Sequence, residues 1–279
     1  MQNTTSSISW QASASRSEMS DLLLDAARDM AREAGAILLR YFRCASLEVS
    51  YKRNTDMVTE ADRESEEYLV SRISREFPEH AILAEEGGGR EAGGGCLWIV
   101  DPLDGTNNFA HGLPFFCVSI GVYSMESKRV VSAVVYNPFL DEMFTASRGC
   151  GAFCNGIPIR VSEIGDIGIS LVATGFPYDK AESPDNNLRE FNRVLPRIQG
   201  IRRMGSAAID LSYVACGRLD GFWEGKLKPW DTAAGSLIVE EAGGRVSRYD
   251  GGPYDPWFPQ ILATNGRIHD ALSRILINA

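Results

Sequence analysis

The stretch Leu97-Trp98-Ile99-Val100-Asp101-Pro102-Leu103-Asp104-Gly105-Thr106 constrains the fold more than any other part of this 279-residue chain. Leu97 to Val100 form an unbroken apolar run, the pattern of a buried strand, and the run ends on a carboxylate. Pro102 has no amide hydrogen to give a neighbouring strand and stops regular pairing, just where a second carboxylate, Asp104, follows. Two acids are thus delivered to one tight bend. Gly105 permits close backbone approach and Thr106 is expected to cap a short helix, so that free amides would point at whatever the acids hold. Two carboxylates about 4 Å apart repel by roughly 4 kcal/mol at an effective dielectric of about 20, and a hard divalent cation such as magnesium is what best stabilises them. The plain alternative is an Asp-Pro turn leading into a capped helix, since Asp, Pro and Gly are ordinary turn residues.

Composition narrows what such a site can serve. A hydrophobic content of 44% is ample for a core, in one large domain or two closely packed ones. The net charge of −9 argues against nucleic acid or an anionic membrane as a general partner, and it means that an anionic substrate needs a local positive centre, which a bound cation supplies. No apolar run reaches the roughly 18 residues of a membrane span. Six cysteines (44, 96, 117, 150, 154 and 216) include no C-x-x-C pair and read as reduced thiols of a cytoplasmic protein. Residues 1–18, rich in Ser, Thr, Gln and Asn, read as a disordered N-terminal extension, with Met19 as an alternative start.

Along the chain, Ser20 is expected to cap a helix that buries Leu23, Ala27, Met30, Ala34, Ile37, Leu38 and Tyr41. Tyr51 to Asp56 read as a charged loop, and Thr59 starts a second helix with Asp62 in its first turn. Ala81 to Ala84 is a short strand ending in Glu85-Glu86, followed by a Gly-rich loop to residue 95. Two neighbouring strands would then present acids, Glu85 and Asp101, at their ends. Antiparallel strands are expected to residue 160, and alternating strands and helices beyond it. In the second half, Pro184 after Ser183 suggests a helix start, Gly205-Ser206-Ala207 opens another helix, and Trp230-Asp231 opens a third. The helix starts at 205–207 and 231 join Thr106 as candidate anion contacts.

The G-x-S-x-G elbow, the P-loop and a complete G-x-G-x-x-G are all absent from the sequence. The three histidines (80, 111 and 269) have no metal-ligand spacing and read as surface or packing residues. A phosphatase with an aspartate nucleophile needs its two acids two residues apart; here Pro102 intervenes and the spacing is longer.

Trp98-Ile99-Val100-Asp101-Pro102-Leu103-Asp104-Gly105-Thr106 followed by Asn107-Asn108-Phe109, together with Trp230-Asp231-Thr232-Ala233-Ala234-Gly235, closely resembles the inositol monophosphatase family, especially its bacterial members. Asp56-x-Val58-Thr59-x-Ala61-Asp62, Leu83-x-Glu85-Glu86, Gly205-Ser206-Ala207-Ala208 and Asp220-Gly221-Phe222-Trp223-Glu224 extend the resemblance in the family's order over most of the chain. It implies an α/β (α+β) fold, a layered αβαβα sandwich of the inositol monophosphatase and fructose-1,6-bisphosphatase type, with pseudo-domains at 19–160 and 161–279.

The same resemblance implies Mg2+-dependent hydrolysis of a small phosphate monoester, an inositol monophosphate first, by direct attack of a metal-activated water. Glu85, Asp101, the Leu103 carbonyl, Asp104 and Asp231 would hold two or three ions. Glu85, Thr106 and Asp62 would serve the attacking water. Gly105 and Thr106 would receive the phosphate, Gly205, Ser206, Ala207 and Glu224 the ring, and Lys52 would assist. Fructose 1,6-bisphosphate, histidinol phosphate and 3′-phosphoadenosine 5′-phosphate are the alternative substrates, and binding to transcription machinery is the alternative role. Lithium sensitivity and a homodimer are expected, with no direct nucleic-acid contact. Met204 and Gly87-Gly88-Gly89 depart from the family pattern near the substrate rim, and Asn107 departs from it at a position that should not touch the ligands.

Overall fold

The computed structural model describes residues 16–43, 49–53, 56–91 and 94–277, with side chains from 20 in the first helix and from 59 after the first hairpin. Helix α1 (Arg16–Tyr41) buries Leu23, Ala27, Met30, Ala34 and Leu38, the stripe its spacing predicts, whereas Ile37 and Tyr41 are only half-buried. It begins before Ser20, so Ser20 lies inside the helix instead of capping it, and residues 16–18 are helical instead of part of an extension. Residues 1–15 and Cys44 lie outside those described.

Strands β1 (Val49–Arg53) and β2 (Asp56–Thr59) form a hairpin, so Tyr51 to Arg53 are strand where a loop was expected. Backbone pairing there overrides a polar sequence with no apolar alternation. Helix α2 (Glu60–Glu76) is capped by Thr59 in a reciprocal box with Asp62. Then follow β3 (Ala81–Ala84), β4 (Cys96–Asp104), the short α3 (Thr106–Ala110), β5 (Cys117–Ser124), β6 (Arg129–Asn137), β7 (Glu142–Ser147), β8 (Ala152–Cys154) and β9 (Ile157–Pro158). Strands β3 to β9 pair in chain order as a seven-stranded sheet, parallel only at β3–β4.

The second half contains β10 (Leu171–Thr174), α4 (Leu188–Val194), β11 (Gly200–Arg202), α5 (Ala207–Ala215), β12 (Gly221–Gly225), α6 (Pro229–Glu241), β13 (Arg245–Ser247), β14 (Gln260–Thr264) and α7 (His269–Ile277). Its sheet has the order β11-β10-β12-β14-β13. Helix α4 starts at Leu188, not at Pro184. The Ser183 hydroxyl accepts the Asp185 amide in a local turn, and the helix enters from Asn187 in a left-handed conformation.

Three apolar cores stack these elements into five layers. Trp98, Val100, Val118 and Ile120 share one core with α1 and α2. Ile99, on the opposite face of β4, joins α5, α6 and Phe222 and Ile261 of the second sheet. The other face of that sheet packs Val172, Trp223 and Leu262 on α4 and α7 through Val194, Leu272 and Leu276. A sheet covered on both sides explains why β4 reads as continuous apolar sequence. The layered αβαβα arrangement is therefore present. Fully burying one side chain such as Trp98 or Phe222 contributes on the order of 2–3 kcal/mol.

Candidate active site

Parallel pairing of β3 with β4 sets Ala84 against Val100, so the next residues, Glu85 and Asp101, emerge side by side. The strand does not end on Asp101 as expected: β4 runs on to Asp104. Its pairing with β5 slips, so that Asp101 faces Ser119 and Asp104 faces Cys117, with Pro102 absorbed in the bulge together with Leu103 instead of stopping the pairing. Asp101 Oδ1 accepts the Leu103 amide at 3.0 Å, and Ser65 Oγ of α2 donates to Pro102 O at 3.1 Å, fixing the bend from both sides. Gly105, not Thr106, is the N-cap of α3; its φ is 95°, and a β-carbon there would stand 2.7 Å from Phe115 O. Thr106 is the first helical residue. Its Oγ1 lies 3.2 Å from Asp62 Oδ1 and 3.1 Å from Leu103 O, while Asp62 Oδ2 accepts from Thr59 N at 2.8 Å and Thr59 Oγ1 at 2.5 Å.

The second half closes the site from the other side. Asp104 Oδ2 accepts from Ser206 Oγ and the Ala208 amide, both at 2.7 Å, which ties the bend to the start of α5. Asp231 Oδ2 accepts the Lys228 amide at 2.6 Å at the start of α6, and Ser119 Oγ donates to Trp230 O at 3.3 Å. Asn108 Nδ2 donates to Phe115 O and Met204 O, both at 2.7 Å, joining α3 to the loop before α5. Parallel pairing of Thr174 with Trp223 leaves Gly175 beside Glu224, so close that a β-carbon on Gly175 would lie 2.0 Å from the carboxylate.

Glu85, Asp101, Leu103, Asp104, Gly105, Thr106, Gly205, Ser206, Ala207, Glu224 and Asp231 all line one cavity of about 400 Å³. Burial, then Glu85, Asp104 and Asp231, hold the Asp101 carboxyl well above the usual range. Burial raises Asp104 to about 6 against the opposing hydrogen bonds from Ser206 and Ala208. Asp231 is pushed well up by burial, then by Asp104 and Glu85. Burial also raises Asp62 to about 6 and Glu224 to about 7, the latter opposed by Arg203. The acids are therefore short of positive charge, and their donors are all oxygen, the set a hard divalent cation requires. Among the described residues no three acids, histidines or cysteines are already drawn in around one point, so closing a coordination shell would require the side chains to move inward.

The acids predicted from distant segments thus share one cavity, with Thr106 beside Asp62. Lys52 lies on β1, and its side chain is outside those described. Glu86 lines a different cavity, with Arg63, Glu66 and Glu67, and its amide donates to Glu66 Oε2 at 2.7 Å. The histidines are surface or packing residues as expected: His111 is exposed, His80 Nδ1 accepts Trp98 Nε1 at 3.0 Å, and His269 is buried between Ser247 and Thr264. Cys96, Cys117, Cys150, Cys154 and Cys216 are free thiols. Sequence reasoning missed Arg203, Asp179 and Lys226 on the cavity wall, because isolated charges in loops carry no pattern. It also missed Asp210, buried in α5 with no hydrogen bond to either carboxyl oxygen among the described residues. Among the described residues no helix is long and apolar enough to cross a membrane.

A sequence profile described as the inositol monophosphatase family matches residues 19–278. The inositol-1-monophosphatase of Synechocystis sp. is 52% identical over 226 residues, covering 80% of this chain and 78% of its own. The Nus factor SuhB of Pseudomonas aeruginosa is 45% identical over 256 residues, covering 90% and 94%. The solved inositol monophosphatase of Anabaena (Nostoc) sp. superposes with a TM-score of 0.84 at 46% identity, over 92% of this chain and 96% of that one.

Proposed function

Since this chain belongs to the inositol monophosphatase family, whose members are phosphatases that hydrolyse phosphate monoesters, we propose that its substrate is an inositol monophosphate or a similar small polyol monoester and that it works with magnesium. The observation that carries this reading is the convergence of Glu85, Asp101, Asp104 and Asp231 on one cavity that also holds the Gly105-Thr106 turn.

Glu85, Asp101, Asp104, Asp231 and the Leu103 carbonyl would hold two or three magnesium ions. Bound magnesium supplies a Lewis acid that activates water and stabilises the departing ester oxygen. The chain's own groups do the rest. Thr106 Oγ1 accepts a hydrogen bond from the attacking water while donating to Asp62 Oδ1, which gives the water's proton a path to a buried carboxylate. The Gly105 and Thr106 amides receive the phosphate. Glu224 accepts from ring hydroxyls, Gly205, Ser206 and Ala207 flank the ring, and Lys52 assists the phosphate. Arg203 offsets the charge of Asp104 and Glu224. The protein works in the cytoplasm as a homodimer, a reading supported by its free thiols and by the family resemblance.

A phosphate-release panel tests this reading with inositol 1-phosphate, fructose 1,6-bisphosphate, histidinol phosphate and 3′-phosphoadenosine 5′-phosphate, with magnesium, with chelator, and with millimolar lithium. Inositol 1-phosphate should be turned over best, with loss of activity in chelator and inhibition by lithium. Preference for a bisphosphate, or turnover that survives chelation, would overturn the substrate or the metal respectively.

The similarity to a protein named as a Nus factor supports a second role, binding to transcription machinery, compatible with an intact cavity. An Asp231→Asn variant used as bait should retain RNA polymerase if that role exists; an isolated protein without it counts against the role.

A further inference from the structure

Lys226 follows β12 with a left-handed backbone, φ 62°, a conformation that a residue with a β-carbon keeps only where its surroundings hold it. Its ammonium is well held. Nζ donates to Asp179 Oδ1 at 3.0 Å, Asp179 Oδ2 at 2.8 Å and Ser183 Oγ at 2.7 Å. Asp179 and Ser183 belong to residues 175–187, which carry neither helix nor strand and run from the end of β10 to α4. The ends of this segment are fixed by Asn187, whose Nδ2 donates to Thr174 Oγ1 and Gly175 O and whose Oδ1 accepts Trp223 Nε1. Lys226 grips its middle.

The grip sits between two cavities. Pro177, Gly225 and Lys226 line both the catalytic cavity of about 400 Å³ and a second one of about 270 Å³, which Arg189, Arg248 and Tyr249 line without reaching the first. Glu224, proposed above to hold the substrate ring, is only two residues from Lys226 on the same chain end. The side chains of the Lys226–Asp179 pair are 30% and 37% exposed, too wet for the pair to be a keystone of the fold but well placed to hold a loop in one position.

We propose that Lys226 is a specificity-determining residue: by pinning Asp179 and Ser183 it fixes residues 176–186 as a partition between the cavities and restricts the substrate to an ester of one small ring. Without the pin the partition swings, the two cavities join, and a bulkier phosphate can extend toward Arg189 and Arg248. This inference rests on the catalytic cavity being the substrate site, and it names what limits the substrate's size.

The test compares full-length wild type with Lys226→Gly, Asp179→Asn and Lys226→Arg. Glycine suits the left-handed position, so Lys226→Gly removes the pin and relieves the backbone together. Two quantities are read: the ratio of kcat/KM for inositol 1-phosphate over adenosine 2′-phosphate, and hydrogen exchange in residues 176–186. In Lys226→Gly and Asp179→Asn the ratio should fall about tenfold, through a lower KM for the adenosine ester, and exchange should rise; Lys226→Arg should restore the ratio to within about threefold of wild type. A ratio within about twofold of wild type in both pin variants, or unchanged exchange, overturns the proposal. If wild type releases phosphate from neither ester, the proposed function fails on its own. Exchange then decides the partition: a rise on losing the pin upholds it, and no rise overturns it.

Discussion

Thr106 Oγ1 has one hydrogen and two acceptors within reach, Asp62 Oδ1 and Leu103 O. Thr106→Val keeps the shape and removes that hydrogen, so kcat in phosphate release should fall about 100-fold or more with little change in the thermal midpoint. Far from the cavity, His269 has both ring nitrogens engaged, 2.8 Å from Ser247 Oγ and 2.9 Å from Thr264 Oγ1. Burial, then Arg245, pushes its pKa from 6.5 to about 4. Between those values the unfolded chain binds a proton that the folded chain refuses, so this histidine's contribution to stability is full above pH 6.5 and is lost as pH falls toward 4. Urea denaturation across that window should show a shallower acid decline in His269→Asn. That His269 is no metal ligand was readable from its isolation in sequence; whether it sat on the surface or packed inside was not. Asp210 was not, because one acid on an apolar helix gives no hint of its neighbours.

Elements place these residues by register and close approach. Helices α5 and α6 meet where a β-carbon on Gly235 would stand 2.6 Å from Leu211 Cβ. Gly235→Ala should therefore force the helices apart, cost about 1–3 kcal/mol in urea denaturation, and reduce activity because Ser206 and Asp231 sit at their first turns. A smaller loss, of a few tenths of a kcal/mol, would mean the helices accommodate the methyl by sliding. Strands β4 to β7 were legible because both their faces are apolar, whereas β1 was not, since a polar hairpin carries no alternation. The expected helix at Pro184 failed for a local reason: Ser183 serves the turn and Lys226 instead. Propensity rules see the residue but not the distant ammonium.

Across the whole molecule, acids from the first sheet and from the start of α6 meet at one cavity, and their mutual repulsion opposes closure of the halves. Magnesium that binds only the folded form should raise the thermal midpoint, by about 2.7 kcal/mol of stability at 100 times its dissociation constant. Differential scanning fluorimetry should show that shift in wild type and most of it lost in Asp101→Asn; an equal shift in both would place the metal elsewhere. The sequence by itself determined the buried strand that carries Asp101, the cap at Thr59, and the family motifs carrying Glu85 and Asp231, because each depends on neighbours in the chain; it did not show that the strand runs on past Asp101 and Pro102 to Asp104. Only the tertiary structure decided that Asp104 leans on Ser206 and Ala208, that Glu224 fits over Gly175, and that Lys226 reaches Asp179. Those contacts join residues far apart in sequence, and their energies arise from burial and distance that exist only once the layers have packed.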